Sequence, residues 1–273
     1  MNNPSSSDRF KLTIEYDGSS FVGWQIQPKG RSVQGTIKRA LEEIFKASIK
    51  LEGSGRTDSG VHALGQVAAV SAGTRMDADE LLRALGSALP TDIRIIKVEE
   101  VQPSFNPRRD ANGRWYRYYV RRNPTVFERR FCLHLPQELN QNAMEKAAGH
   151  LIGSHDFTPF TTVEEQGDRR RTLWALDLNF HDEGLEIDAL APSFLHKMVR
   201  MIVGSLLGSG RGNVTLEEIE EVLQSGDIKR AGPTAPPQGL FLMKVFYPPQ
   251  EPQKLYLRQR KEVGNGLPPK ISL

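Results

Sequence analysis

Between residues 10 and 101 the apolar residues switch repeatedly between the two-residue period of a strand and the 3.6-residue period of a helix, and the order of those switches leaves few folds open. Phe10–Tyr16 alternates as a strand and stops at the turn pair Asp17-Gly18. After the glycine-containing stretch FVGWQIQPKG, Ser32 is placed to cap a helix whose apolar positions are Val33, Ile37, Leu41, Ile44 and Phe45. Short strands are expected at Ile49–Glu52 and Gly65–Ser71. Asp77 and Glu80 form a capping-box pattern opening a helix to about Leu89, and Ile93–Val101 closes the set as a strand. The order β-α-β-β-α-β is the ferredoxin-like split unit.

Residues 103–113 (PSFNPRRDANG) hold two prolines and an Asn-Gly pair and read as a linker. The second half partly repeats the first order. Strands are expected at Arg114–Arg122, Leu173–Phe180, Leu185–Leu190 and Leu240–Tyr247, with helices at Asn142–Ile152, Ser193–Leu207 and Leu216–Gln224. The reading is an α+β fold of two ferredoxin-like β-α-β-β-α-β halves, residues 1–105 and 106–247, forming a joined antiparallel sheet with helices packed on one side. The Pro-, Gln- and Lys-rich segment 248–273 is expected to be a peripheral tail.

Composition closes off other classes. No apolar run approaches the ~20 residues of a membrane helix, the opening MNNPSSSDRF lacks an apolar core, and Cys132 is the single cysteine. A cytoplasmic protein with no membrane association, no disulfide and no cysteine-based zinc site is expected. The net charge of +3 is unevenly spread: residues 103–130 hold eight arginines against Asp110 and Glu128, so this stretch carries +6 and the remainder −3. Within it, arginines alternate with Trp115, Tyr116, Tyr118 and Tyr119, a pattern suited either to phosphate contacts beside base stacking or to an ordinary solvated strand.

Two further places can carry chemistry. SGRTDSGVHA (54–63) is longer than a plain hairpin turn and gathers Arg56, Thr57, Asp58, Ser59 and His62 between glycines. In PSFLHKMVRMIVGSLLG, helical spacing puts Arg200 on the shoulder of an apolar face. There it either pairs with an anion or extends its head to water. The six histidines show no paired metal spacing, and no phosphate-binding glycine loop or nucleophile elbow is present.

The motif GRTDSGVHA, with YDGSSFVGWQ at 16–25, SVQ at 32–34, WYRY at 115–118, MVRMIVG at 198–204 and GLFL at 239–242, resembles the TruA-type tRNA pseudouridine synthases, in order along residues 10–247. Asn106, Pro192 and Met201 stand where that pattern usually has other residues. The resemblance implies conversion of uridine to pseudouridine at positions 38 to 40 of the tRNA anticodon arm, with no cofactor or metal, by a homodimer. It assigns Asp58 to C1′ of the target nucleotide, as nucleophile or as stabiliser of a cationic sugar. Arg200 becomes its ionic partner, and Tyr116 the platform for the extruded base. Substrate contacts are expected from Arg56, Arg108, Arg121 and Arg122. A non-catalytic RNA-binding module would explain the Arg–Tyr strand but not the Asp58 loop, and a glycoside hydrolase would want a second carboxylic acid.

Overall fold

The computed structural model describes residues 8–73, 76–162, 167–225 and 232–263. The chain forms two compact units, residues 1–111 with 242–248 and residues 112–241 with 249–273. The first unit thus takes its last segment from far along the chain.

In the first unit, β1 (Asp8–Tyr16) alternates as its sequence demands: Phe10, Leu12, Ile14 and Tyr16 are buried, while Lys11, Thr13 and Glu15 are half-exposed. α1 (Val33–Phe45) begins where Ser32 Oγ accepts the Gly35 N–H at 3.2 Å. β2 (Leu51–Gly53) and β3 (His62–Ala72) follow, then α2 (Ala78–Ala88) and β4 (Ile93–Val101). The expected capping box opens α2, with Asp77 Oδ1 accepting the Glu80 N–H at 2.8 Å and the Glu80 carboxylate accepting the Asp77 N–H at 3.0 Å. β1 lies between β4 and β3, antiparallel to both. A bulge opposite Thr13 and Ile14 shifts the inward set of β4 from strict alternation to Ile93, Ile95 and Val98. Residues 103–111, expected as a linker, are an ordered turn of this unit. Asn106 Oδ1 accepts the N–H groups of Arg108 and Arg109, and Tyr247 donates its hydroxyl to Pro107 O at 2.7 Å.

The second unit opens with β5 (Gly113–Arg121), which β6 (Leu133–His134) joins in parallel. Next come α3 (Gln141–Leu151), β7 (Gly153–Asp156), β8 (Arg170–Leu173), β9 (Ala175–His181) and β10 (Gly184–Ala191). α4 (Met198–Gly210), α5 (Leu216–Ser225), β11 (Leu240–Phe246) and α6 (Pro252–Val263) complete the chain. β10 pairs antiparallel with β5 on one side and β9 on the other, which fixes the register: Tyr116 with Ala189 and Tyr118 with Ile187 on one face, Arg117 with Asp188 on the other. The strand expected at 173–180 breaks at Trp174, with β8 pairing into a separate two-stranded sheet with β7. β11 passes from the second unit at Leu240–Phe241 into the first at Leu242, where it lies beside β3.

Two expectations need correcting. The helix read from Ser193 starts at Met198, because Lys197 takes a left-handed conformation (φ 59°) that no helix continues through. Leu195 and His196 therefore lie outside it. The segment after Pro248 is not wholly peripheral: α6 seats Tyr256, 1% exposed, edge-on against Trp115 with ring centres 5.3 Å apart. It rests on the β5 face carrying Trp115 and Arg117, with Arg260 reaching Asp188 at 3.5 Å.

Candidate active site

Asp58 stands in the loop between β2 and β3, and the sequence shows why that loop leaves the sheet there. β2 occupies the edge of β3 only opposite Ala68–Val70. Nearer the start of β3, the last strand takes over, so close that a Cβ on Gly65 would sit 2.5 Å from Met243 O. The chain of 54–61 is displaced outward and is held by the segment Tyr16–Trp24. Trp24 N–H donates to Thr57 O at 3.1 Å, the hydroxyls of Tyr16 and Thr57 share a hydrogen bond at 2.8 Å, and Ser59 Oγ donates to Phe21 O at 3.1 Å. Gly23, at φ +114°, brings its backbone against the loop, where a Cβ would lie 2.6 Å from Thr57 O. From within, Ser54 Oγ donates to Gln66 Oε1 at 2.7 Å and the Gln66 amide donates to Gly55 O at 3.2 Å. Asp58 itself is half-exposed, between the buried Thr57 and the exposed Ser59. The result is a carboxylate on a loop whose backbone positions are fixed on both sides of it, as a group that must meet one atom of a substrate requires. The YDGSSFVGWQ segment, legible only as a recurring motif, is the seat of that loop.

In the second unit, β5 presents its two faces very differently. Trp115, Arg117, Tyr119 and Arg121 form a buried polar face. Arg117 donates to both oxygens of Asp188, at 2.8 and 2.9 Å, and the Trp115 indole donates to Asp188 Oδ1 at 2.7 Å. Burial alone would depress the Arg117 guanidinium, but its bonds to Asp188 hold it above its ordinary range, while burial pushes the Asp188 carboxyl up against the opposing pull of Arg117. Farther along, Arg121 donates to Glu186 at 2.9 Å. On the other face, Tyr118 is fully buried and donates to Pro236 O at 2.9 Å; burial pushes its phenol well above the usual range, with the charge of Arg200 acting in the opposite direction. Tyr116 is the half-exposed tyrosine of this strand, its ring meeting Phe194 edge-on at 5.2 Å. A half-exposed ring braced perpendicular to a neighbouring aromatic is suited to stacking a base.

α4 is buried along its whole length apart from Arg200, which is half-exposed. The 232–236 segment crosses it so tightly that a Cβ on Gly204 would lie 1.7 Å from Pro233 O. That segment fixes Arg200 by backbone: Nε donates to Ala235 O at 2.8 Å and the Ala235 N–H donates to Arg200 O at 3.0 Å.

The arginines expected to meet phosphate divide. Arg56 and Arg108 are exposed, and Arg122 is half-exposed with Glu138 at 3.8 Å. Arg121, by contrast, is 4% exposed and committed to Glu186. The expectation that it contacts substrate is overturned, because strand alternation turns it onto the buried face with Arg117. The alternating Arg–Tyr run is thus mostly interior, and only Arg114 and Tyr116 of β5 reach even partial exposure.

The sequence profile of a family described as tRNA pseudouridine synthase matches residues 12–108 and 147–248. The chain is 43% identical over 245 residues to tRNA pseudouridine synthase A of Geobacillus sp. (strain WCH70), covering 88% of this chain and 99% of that protein. It is 40% identical over 244 residues to tRNA pseudouridine synthase A of Bacillus subtilis (strain 168), again covering 88% and 99%. The matches take in most of each compact unit, with the Asp58 loop, Arg200 and, within the relatives' span, the β5 strand. The chain belongs to the tRNA pseudouridine synthase family.

Proposed function

We propose that this protein isomerises uridine to pseudouridine in tRNA, at positions 38 to 40 of the anticodon arm, with Asp58 acting at C1′. The observation that carries the reading is the seating of the Asp58 loop by Tyr16–Trp24, in a chain 43% identical to a tRNA pseudouridine synthase A. The reaction breaks the C1′–N1 bond, turns the uracil and joins C5 to C1′; the proton on C5 leaves and N1 gains one. A carboxylate at C1′ supplies either the nucleophile or the charge that stabilises an electron-poor sugar. Tyr116 stacks on the uracil once it has left the helix or loop stack, and its hydroxyl is the group offered to the C5 proton. Arg200, fixed through Ala235, is the residue that the resemblance to the family assigns as the ionic partner of Asp58. Arg56, Arg108 and Arg122 contact phosphates. The resemblance to the family supports a homodimer, and a tRNA substrate supports a cytoplasmic location; among the described residues no helix is long and apolar enough to cross a membrane.

The test is product analysis with tRNA tritiated at uracil C5. The expected result is tritium release without loss of base, with carbodiimide-adduct stops in primer extension at positions 38 to 40. Free uracil in place of isomerised tRNA would return the chain to hydrolase chemistry, and stops elsewhere would move the target site.

A further inference from the structure

The segment joining β5 to β6 displays Val126 and Phe127 at 67% and 65% exposure, the two most exposed large apolar side chains among the described residues. They do not sit on a slack loop. Glu128 and Thr125 form a reciprocal cap, with the Thr125 N–H donating to Glu128 Oε2 at 2.7 Å and the Glu128 N–H to Thr125 Oγ1 at 3.3 Å. The next residues close a 3-10 turn, Arg129–Arg130 following Glu128, and Phe131 N–H donates to Glu128 O at 2.8 Å. The turn is therefore ordered by its own hydrogen bonds while it holds an aromatic ring in water. Within five residues of that ring along the chain are Arg122, half-exposed, and Arg129 and Arg130, both exposed, with the Arg130 guanidinium 5.9 Å from the centre of the Phe131 ring. Acids of the surround are Glu128, whose carboxylate is engaged by the turn, Glu138 beside Arg122, and the exposed Asp182 and Glu183 of the turn between β9 and β10, where Glu183 O accepts the Arg122 N–H at 2.9 Å; Arg129 and Arg130 stand on the far side of the turn's own Glu128 in the chain.

We propose that this turn is a second RNA contact, in which Phe127 stacks on an unpaired nucleotide and Arg122, Arg129 and Arg130 bind the flanking phosphates. The inference rests on the proposed tRNA substrate. Charge decides between occupants. A second copy meeting this patch about a two-fold axis would set Arg129 and Arg130 against their own counterparts, a like-charge contact, whereas a polyanion with exposed base faces matches both the ring and its surround. Tyr116 is assigned to the reacting base, so the nucleotide on Phe127 is a different one.

The experiment compares the parent full-length chain with Phe127→Ala and Phe127→Trp for tRNA binding, oligomeric state by light scattering, and fluorescence. The expected result is that Phe127→Ala weakens tRNA binding by about five- to a hundred-fold at constant salt, the range that loss of one stacked base gives. Its oligomeric state and thermal midpoint stay those of the parent, since the side chain packs little. Phe127→Trp should bind as the parent and show a quench on adding tRNA that the parent's own three tryptophans do not. Binding by Phe127→Ala within two-fold of the parent overturns the proposal, and so does conversion of a parent dimer to monomer, which would make the patch a contact between copies. Absence of pseudouridine formation by the parent chain is a different result and bears on the proposed function itself.

Discussion

The loop carrying Asp58 and the strand carrying Tyr116 solve the same problem, holding a functional side chain still, with different physics. Around Asp58 the restraints are backbone amides, carbonyls and hydroxyls supplied by Tyr16–Trp24, and a glycine at positive φ that lets two backbones touch. Behind Tyr116 they are two ion pairs removed from water, Arg117–Asp188 and Arg121–Glu186, in which Asp188 and Glu186 are 0% exposed. Neutral hydrogen bonds contribute about 1 kcal/mol each and fail one at a time, whereas breaking a buried ion pair by removing one partner costs about 3–5 kcal/mol. The loop is a distributed clamp; the strand is a stiff but brittle one.

Asp58→Asn tests the loop where the effect is greatest. Because the clamp grips residues on either side of Asp58, the variant should unfold at the parent's urea midpoint and bind tRNA, yet form pseudouridine more slowly by at least about 10⁴-fold, the scale on which removal of a reacting group acts. More than a few per cent of parent turnover would remove Asp58 from the reaction. Tyr116 separates ring from hydroxyl. Tyr116→Phe should bind tRNA normally and turn over about 10²- to 10⁴-fold more slowly, while Tyr116→Leu should also lose affinity; full activity of the leucine variant would return the residue to a packing role.

The brittleness of the strand is measured by Arg117→Met. Leaving Asp188 buried without its guanidinium should cost about 3–5 kcal/mol in urea unfolding, and Arg117→Met with Asp188→Asn should recover at least half of that. A loss below 1 kcal/mol would show that the pair is not what stiffens β5. Salt dependence distinguishes the two neighbouring arginines. Arg122→Ala should reduce the log–log salt slope of tRNA binding by about one. Arg121→Ala should leave that slope unchanged and lower the unfolding midpoint, in keeping with its pair to Glu186. The smallest effect concerns Cys132, 1% exposed, whose thiol burial pushes up to about 11. Its alkylation should be slow at pH 8 and climb without a plateau through pH 10; a plateau near pH 8.5 would mean that this part of the second unit opens readily.

Much of this architecture could be read from residue order because the relevant signals are local. The Ser32 cap, the Asp77–Glu80 box and the alternation of β1 are decided within a few residues, and each forms as expected. What escaped depends on distant partners. A left-handed Lys197 has no residue-type signature, so the wheel drawn from Ser193 was out of phase before Met198. α6 buries only Pro252 and Tyr256 among its side chains with described burial, an i, i+4 pair too sparse to register as a periodic face. Arginines in a strand look alike whether they meet water or a carboxylate, and only the β5–β10 register brings Asp188 and Glu186 opposite Arg117 and near Arg121. For the site the same division holds: Asp58 stands out as a short motif, but the function of Tyr16–Trp24 as its seat exists only once the chain has folded back.

The discontinuity of the first unit has a consequence for how the protein is made. Residues 1–111 leave the ribosome long before Leu242–Pro248, the segment that completes their sheet beside β3. At ~5–20 residues per second the intervening 130 residues take roughly 7 to 26 s to synthesise. For that interval the nascent chain carries the Asp58 loop on a sheet with one edge unfilled, open to pairing with any neighbouring strand. The final strand acts as a closing stitch, so the amino-terminal half cannot reach its finished form until the whole of the intervening segment, residues 112–241, has been translated.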